Sequence, residues 1–177
     1  MPRKQRAKTK YVKKQQSAVD RVYNSKLINQ LIKFVMKSGK YNLACNIVYK
    51  SLDTLYDDYM KKSATDEEKG LEKDVMVKLL INRVIKAGPS VEVKTRRVGG
   101  ANYQVPVPVD GQRKINLVYG WLVEYSRKRK GDSMSVRLSR ELMDIVAGRG
   151  SVVKAVENLH KMANANAAFA SFRGKKG

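Results

Sequence analysis

The sequence has few of the residues that build catalytic or metal sites. Its 177 residues include one cysteine, Cys45, and one histidine, His160. One of each, far apart in the chain, gives no cluster with the spacing of metal ligands. Cys45 lies between apolar neighbours, so we interpret it as a reduced core thiol. No phosphate-binding loop occurs either, because Gly99-Gly100 precedes a strand pattern and no Gly-Lys-Ser/Thr follows. We predict a protein that is not an enzyme and has no cofactor and no metal.

Acidic residues and long apolar stretches are also scarce. Lys and Arg number 37 against 16 Asp and Glu, which gives a formal charge of +21. Such self-repulsion calls for a polyanionic partner, with nucleic acid first and an anionic membrane surface second. No window approaches the ~20 apolar residues that span a bilayer, and the N-terminus lacks the apolar stretch of a secretory signal. We expect neither a membrane partner nor a homo-oligomer.

Aromatic residues are few, and they do not follow adjacent strands as an RNA-stacking sheet requires. Trp121 lies within the apolar arc of a predicted helix, so we assign it to the core. We therefore expect recognition of folded RNA by shape and phosphate contact rather than base by base. His160, on the polar side of its predicted helix, is a candidate to stack on a base or to bond a phosphate.

What the chain does contain is a strand–turn–strand pattern at residues 91–109, VEVKTRRVGGANYQVPVPV. Apolar and charged residues alternate over Val91–Arg96, which is typical of a strand with one apolar face. Gly99-Gly100 supplies the positive φ angles of a hairpin turn. Beyond the turn, one face carries Tyr103, Val105, Val107 and Val109, and the other carries Gln104, Pro106 and Pro108.

The two prolines predict that this hairpin has an outer edge. Pro106 and Pro108 lack N–H donors on the same side of the strand, and proline cannot donate to a ladder. Basic residues lead into the tip, and no acid occurs between Glu92 and Asp110. A basic two-stranded arm suggests insertion along a phosphate backbone, and it needs a supporting helical body because a lone hairpin is marginal in water.

Apolar residues at helical spacing predict six helices around this arm. Their approximate ranges are 25–37, 42–60, 72–86 and 113–130, followed by a fifth capped by Ser133 and a sixth capped by Ser151. In the third helix the inward set is Val75, Leu79, Leu80 and Val84. The fold class is mostly α: a bundle of about six helices with a protruding β-hairpin arm, at about 90–110, between helices three and four. We expect residues 1–16 to be a basic flexible tail, and residues 17–177 to be a single helical RNA-binding domain with a frayed terminus from Phe169.

Charge distribution suggests an orientation on the polyanion. Eight of the 16 acids lie between Asp53 and Asp74, so that end, including an acidic connection at 66–68, is expected to face away. The run Arg127–Lys130 is a second candidate contact. Four consecutive helical residues span a full turn, so one or two of these cations should face solvent or pair with an acid.

The hairpin sequence resembles that of the small-subunit ribosomal protein S-seven family, bacterial type. LINQLIKFVMKSGK and SGKYNLACNIVYKSLDTL resemble its first two helices, and RKRKGDSMSVRLSRELMD and HKMANANAAFASFR resemble later helical segments. The resemblance implies direct binding to the 3′ major domain of small-subunit rRNA and nucleation of head assembly. It also implies a location in the small ribosomal subunit of the cytoplasm, with an organellar ribosome left open, near exit-site tRNA, mRNA and proteins S-nine and S-eleven.

Site residues follow from the same resemblance. The implied rRNA contacts are Arg3, Lys4, Arg6, Lys8, Lys10, Lys94, Arg96, Arg97, Arg113 and Lys114. The implied tRNA-binding tip consists of Arg97, Val98, Gly99, Gly100, Ala101, Asn102 and Tyr103. Three departures from the family pattern stand out: Tyr119-Gly120 where a basic residue is usual, a less basic run at 153–156, and a longer acidic connection at 66–72.

Three other functions remain as alternatives. Charge alone also suits a non-ribosomal architectural DNA- or RNA-binding protein, which would bind duplex DNA with comparable affinity. A membrane-surface protein would bind vesicles in competition with RNA. An RNA-modifying enzyme lacks support in the sequence, because neither a cofactor loop nor a catalytic cluster is present.

Overall fold

Seven α-helices, one hairpin and a C-terminal 3-10 helix make up the part of the chain that the computed structural model describes, residues 19–174. In chain order these are α1 Lys26–Val35, α2 Tyr41–Lys62, α3 Asp66–Lys69, α4 Lys73–Lys86, β1 Val91–Val98, β2 Ala101–Pro108, α5 Gly111–Lys128, α6 Met134–Val146, α7 Ser151–Ala165 and the 3-10 helix Ala167–Gly174. The predicted mostly α class, with a hairpin between the third and fourth long helices, is confirmed.

The six predicted helices correspond to α1, α2, α4, α5, α6 and α7. Ser25 caps α1, where its side chain accepts a hydrogen bond from the Ile28 N–H at 3.5 Å. The predicted acidic connection contains a short helix, α3, in addition to the six predicted helices. That short helix is held at its start by Glu68, whose carboxylate accepts from the Thr65 N–H at 3.2 Å.

The core lies between α1, α2, α4, α5 and α6. Its largest fully buried side chains include Ile28, Leu52, Leu80, Tyr119 and Leu142. Full burial of each aliphatic side chain contributes about 1.5–3 kcal/mol. The hydroxyl of Tyr119 donates to the Leu27 carbonyl at 3.2 Å, so α5 is bonded to α1 inside this core. Trp121 is half-buried and packs against the core, as predicted.

Two details of the predicted helices are wrong. Val75 was assigned to the core but is 47% exposed, because the inward stripe of α4 begins at Met76 and Val77 and continues through Leu80. Ser151 was predicted to cap the last helix but is its first helical residue. The cap position belongs to Gly150, whose φ of 98° favours glycine.

Gly88 lets the end of α4 approach α5 closely. A Cβ atom at this position would lie 2.4 Å from a methyl group of Val118, which is fully buried. Only glycine avoids that overlap without displacing the core. The close contact sets the start of the hairpin directly beside α5.

The hairpin has the predicted tight turn and outer edge. Val98 pairs with Ala101, so Gly99 and Gly100 form a two-residue loop with φ values of 59° and 87°. At the base, the Val109 N–H donates to the Ser90 carbonyl at 3.0 Å. Pairs alternate along an antiparallel ladder, so the missing N–H groups of Pro106 and Pro108 point away from β1.

Both faces of the hairpin are partly covered, which the predicted one-sided alternation did not anticipate. Glu92 is 6% exposed, and both Val105 and Pro106 are buried. The covering elements are α7 and the 3-10 helix, which pack against the strands. The terminus was predicted to be frayed, but Phe169 and Phe172 lie against Tyr103 with ring centroids 5.2 and 5.1 Å apart from it.

Candidate nucleic-acid interface

The tip of the hairpin is the most exposed part of the arm. Arg97, Gly99, Gly100, Ala101 and Asn102 are all exposed, whereas Val98 is half-buried. The two-residue glycine loop places these residues at the end of the ribbon. Because glycine has no side chain, the backbone of the loop stays accessible. Within the described chain, Arg97 has no ion-pair partner. The tip therefore presents a positive charge and a bare backbone to an incoming ligand.

The base of the hairpin contains Glu92, the only acid of strands β1 and β2, and two predicted RNA contacts pair with it. Glu92 is bonded to Lys94 at 2.8 Å and to Arg113 at 3.0 Å, so β1 is linked to α5. The hydrogen bond from Lys94, joined by that from Arg113, lowers the pKa of Glu92 despite the opposing effect of burial. One carboxylate faces two cations that are each about half exposed, so the base remains net positive.

Two other candidate ligands make contacts within the protein. The Lys114 ammonium donates to the Lys86 carbonyl at 3.1 Å. The His160 Nε2 accepts from the backbone N–H of Ser90 at 3.1 Å, which joins α7 to the start of β1. His160 therefore supports the base of the arm.

Tyr103 differs from the rest of the predicted tip. Its ring is half-buried in a three-ring cluster with Phe169 and Phe172. Arg96, on the opposite strand, pairs with Tyr103 in the sheet register and is also half-buried. The predicted tip thus divides into an exposed loop and a supported stem.

The cations at the end of α5 differ in how strongly they are bonded to acidic residues of the protein. Arg129 forms ion pairs with Glu141, at 2.6 Å, and with Asp144. Lys128 pairs with Glu124 at 2.6 Å on the surface. Two of the four cations therefore pair with acids, in agreement with the expectation that one or two of them face solvent or pair with an acid.

Arg137 completes this junction and was missed by the sequence reading. Its guanidinium donates to the carbonyls of Arg129, at 2.8 Å, and of Arg127, at 3.3 Å. These carbonyls lie at the end of α5, where helix geometry leaves carbonyl groups without partners inside the helix. The only available signal was the spacing of charged residues on α6, which does not distinguish Arg137 from Arg140.

Acidic residues cluster on the end of α2, on α3 and on the start of α4. Asp53 pairs with Lys73 at 2.7 Å, and Glu68 pairs with Arg83. The Tyr59 hydroxyl donates to Glu68 at 3.0 Å, so this region is internally bonded. The hairpin, by contrast, packs against α7 and the 3-10 helix.

Several predictions lie beyond these contacts. The tail residues Arg3, Lys4, Arg6, Lys8 and Lys10 lie outside the described residues. Among residues 19–174, no group of three or more His, Cys, Asp or Glu side chains is placed to hold a metal ion. None of the helices described is long and apolar enough to cross a membrane.

Known proteins resemble this chain over almost its whole length. Residues 2–167 match the family described as Ribosomal protein S7p/S5e. The chain is 45% identical over 160 residues to the small ribosomal subunit protein uS7 of Thermosynechococcus vestitus, an alignment that covers 90% of this chain and 94% of the relative. The uS7 of Pelotomaculum thermopropionicum is 44% identical over 162 residues, with 92% and 96% covered. That of Koribacter versatilis is 40% identical over 173 residues, with 98% and 99% covered.

These matches confirm the family resemblance, the location in the small ribosomal subunit and the prediction that the protein is not an enzyme. The described hairpin, with its Gly-Gly turn and its two prolines on β2, lies inside the matched region. The chain belongs to the Ribosomal protein S7p/S5e family and is a structural, non-enzymatic protein of the small ribosomal subunit.

Proposed function

We propose that the protein binds the 3′ major domain of small-subunit rRNA directly and nucleates assembly of the subunit head. The observation that carries this proposal is the separation of charge. The acids on α2, α3 and α4 are concentrated in one region, while the hairpin has a single, buried and fully paired acid. In a chain of net charge +21, such separation leaves the hairpin and its base as the surface suited to phosphate.

The rRNA contacts are Lys94, Arg96, Arg97, Arg113 and Lys114, together with the tail residues Arg3, Lys4, Arg6, Lys8 and Lys10. At the base, Glu92 holds Lys94 and Arg113 while leaving a net positive charge. Such pairing reduces the ordering entropy that a long cationic side chain loses on contact with RNA. The pairs therefore position cations for phosphate binding.

The tip of the arm contacts exit-site tRNA, near the path of mRNA. Its contact residues are Arg97, Val98, Gly99, Gly100, Ala101 and Asn102, and Tyr103 supports them through its contacts with Phe169 and Phe172. A glycine loop allows close approach of backbone to a ligand. Proteins S-nine and S-eleven are the proposed neighbours in the subunit.

A filter-binding titration at fixed salt tests the rRNA proposal. It compares a transcript of the 3′ major domain with duplex DNA and with an unrelated structured RNA. We expect selective, tight binding to the ribosomal transcript. Equal binding to all three would contradict the proposal and favour the architectural DNA- or RNA-binding alternative.

Salt dependence tests the contribution of the tail. If about eight phosphates are neutralised, log affinity falls with log salt at a slope of roughly −6 to −7. Deletion of residues 1–16 removes seven basic residues and is expected to lower affinity and flatten that slope. An unchanged slope would show that the tail does not contact RNA.

A further inference from the structure

An open cleft of about 440 Å³ lies between α1 and α5, away from the hairpin. Its volume is within the range of small-molecule sites, about 300–1,000 Å³. Aromatic, aliphatic, cationic and carboxylate groups all contribute to it: it is lined by Phe34, Gly120, Val123, Glu124, Arg127 and Lys128. The rRNA and tRNA contacts of the proposed function lie elsewhere, although Arg127 and Lys128 belong to the basic run that the charge distribution suggested as a second contact.

Gly120 opens the cleft from within a helix. It is the tenth residue of the 18-residue α5, a position where glycine is unfavourable relative to alanine. Apart from the adjacent residues and the backbone of α5 itself, no heavy atom lies within 4 Å of the place where its Cβ would be. Close packing therefore does not require glycine here, and the space above the helix is open to a ligand.

The ring of Phe34 is the aromatic wall of the cleft. Phe34 is half-buried and meets Tyr119 edge-on, with centroids 5.9 Å apart and planes at 67°. Tyr119 is itself fully buried and bonded to α1, so it holds the phenylalanine in place. A ring fixed in this way can receive a planar group with little loss of side-chain entropy.

The rim carries more positive than negative charge. Arg127 and Lys128 are exposed, and one donor of Arg127 contacts the Val35 carbonyl at 3.4 Å. Glu124 accepts from Lys128 at 2.6 Å, and both side chains are more than half exposed. The carboxylate has acceptor capacity beyond that one bond. The rim thus offers two cations and one acceptor around an apolar floor.

We propose that this cleft receives a single unstacked nucleobase of the bound rRNA, an inference that rests on the proposed function. The base stacks on Phe34 above Gly120, and its flanking phosphate contacts Arg127 and Lys128. Glu124 accepts a hydrogen bond from the exocyclic amino group, which favours cytosine, adenine or guanine over uracil.

Charge complementarity favours a base over an apolar protein side chain. An aliphatic anchor would use the floor but would leave Arg127, the rim cation that has no acidic partner in the described chain, without an opposite charge, since Lys128 already pairs with Glu124. A nucleotide satisfies both parts of the site, because every base has an apolar face and every linkage has a phosphate. Stacking on an aromatic ring is also tolerant of which base arrives, so Glu124 supplies the selectivity.

The first test fills the cleft in the full-length protein. Gly120→Leu adds bulk where the structure has open space, and Gly70→Leu makes the same change near the acidic residues, also without left-handed backbone. Each variant is bound to the 3′ major domain transcript, and the Watson–Crick edges are probed with dimethyl sulfate and kethoxal. We expect one nucleotide to lose protection in Gly120→Leu, with the rest of the footprint kept and affinity lowered about tenfold. Gly70→Leu is expected to match the wild type.

The second test needs no ribosomal RNA. Hexanucleotides of cytosine and of uracil have matched size and charge. A difference in their binding affinity therefore reports the contribution of the exocyclic amino group. We expect wild type to bind the cytosine oligonucleotide about threefold or more tightly than the uracil one. Gly120→Leu should lower both affinities and abolish the preference. Glu124→Leu, which removes the acceptor oxygen, should abolish the preference without lowering the affinity for the uracil oligonucleotide.

The two tests separate failure of the site from failure of the proposed function. A complete footprint in Gly120→Leu together with no base preference in wild type overturns the nucleobase site and leaves rRNA binding intact. A base preference without selective binding to the ribosomal transcript would support the site and overturn the rRNA proposal. Circular dichroism of each variant checks that the helices are retained.

Discussion

The hairpin tip and the end of α5 are both rich in arginine and lysine, yet they use these residues differently. At the end of α5, Arg129 is only 31% exposed and is paired with Glu141 and Asp144. At the tip, Arg97 is exposed and, within the described chain, has no ion-pair partner. At the end of α5, Arg129 joins α5 to α6 through ion pairs. At the tip, the charge of Arg97 remains available to a ligand.

The difference follows from where acids occur along the chain. Glu141 and Asp144 lie one turn apart on α6, and that spacing puts both on the face that meets the end of α5. The hairpin has no acid beyond Glu92 at its base. In a strongly basic protein, the few acids therefore decide which cations are structural.

The largest loss of stability is expected from replacing Arg129, the cation that joins α5 to α6. Arg129→Met leaves Glu141, whose side chain is 1% exposed, without its partner. Removal of one member of a buried pair costs about 3–5 kcal/mol. The measurement is the free energy of unfolding in urea, followed by the fluorescence of the single tryptophan, Trp121.

Lys130→Met is the matched control, since Lys130 is adjacent and exposed. Its unfolding free energy should change by less than about 0.5 kcal/mol. If both variants lost equally little stability, the distinction between structural and exposed cations at this helix end would fail.

The next effect concerns the tip and should appear in binding rather than stability. Arg96→Ala with Arg97→Ala should weaken exit-site tRNA binding to reconstituted subunits by more than about tenfold, because two positive charges are lost. The affinity for the rRNA transcript should stay within about tenfold of wild type. Lys61→Ala with Lys62→Ala removes the same charge beside the acidic region and should leave tRNA binding unchanged. Equal losses of rRNA and tRNA affinity would rule out this division of labour.

A smaller effect is expected where the 3-10 helix supports the arm. Phe169→Leu keeps an apolar side chain but removes one ring from the cluster around Tyr103. Such ring contacts contribute about 0.5–1.5 kcal/mol beyond buried area. Hydrogen exchange of the β2 amides should accelerate, while the amides of α1 stay protected. Met162→Leu, at an exposed position on α7, is the control, and equal exchange in the two variants would argue against a supporting role.

Much of this fold was predictable because its signals are local. The apolar stripes of α1 and α5, the Gly99-Gly100 turn and the orientation of Pro106 and Pro108 each depend on a few neighbouring residues. The errors at Val75 and Ser151 have a different origin. Each position has a neighbour that suits the same role, and only packing against the rest of the protein selects between them.

The site was less predictable because its contacts are distant in sequence. His160 bonds to Ser90, 70 residues away, and Phe169 meets Tyr103 across a comparable distance. Charge alone identified Lys94 and Arg113 as cations but not Glu92 as their shared partner. The position of a buried acid depends on tertiary packing, which composition and periodicity do not report.

The smallest effect is expected at the base of the arm, where Glu92 should make the stability of the protein depend on pH. The pKa of Glu92 is lowered by Lys94 and then Arg113, from an ordinary value of 4.5. Because the folded protein favours the ionised form, Glu92 contributes stability above that ordinary value. The contribution is lost as pH falls through the lower folded pKa. Glu92→Gln should therefore cost about 1 kcal/mol at neutral pH, since its two partners are half exposed.

That cost should begin to shrink as the pH falls below about 4.5, where the carboxyl of the unfolded chain takes up its proton first. It should be lost once the folded carboxyl is also protonated at its lower pKa. The difference in unfolding free energy between wild type and Glu92→Gln, measured from pH 7 to pH 3, isolates this residue from the other acids. Glu157→Gln, at an exposed position on α7, should show no such trend. A difference that stayed constant to pH 3 would mean that Glu92 stabilises the protein through its shape and packing. In that case ion pairing would not distinguish the base of the arm from its tip.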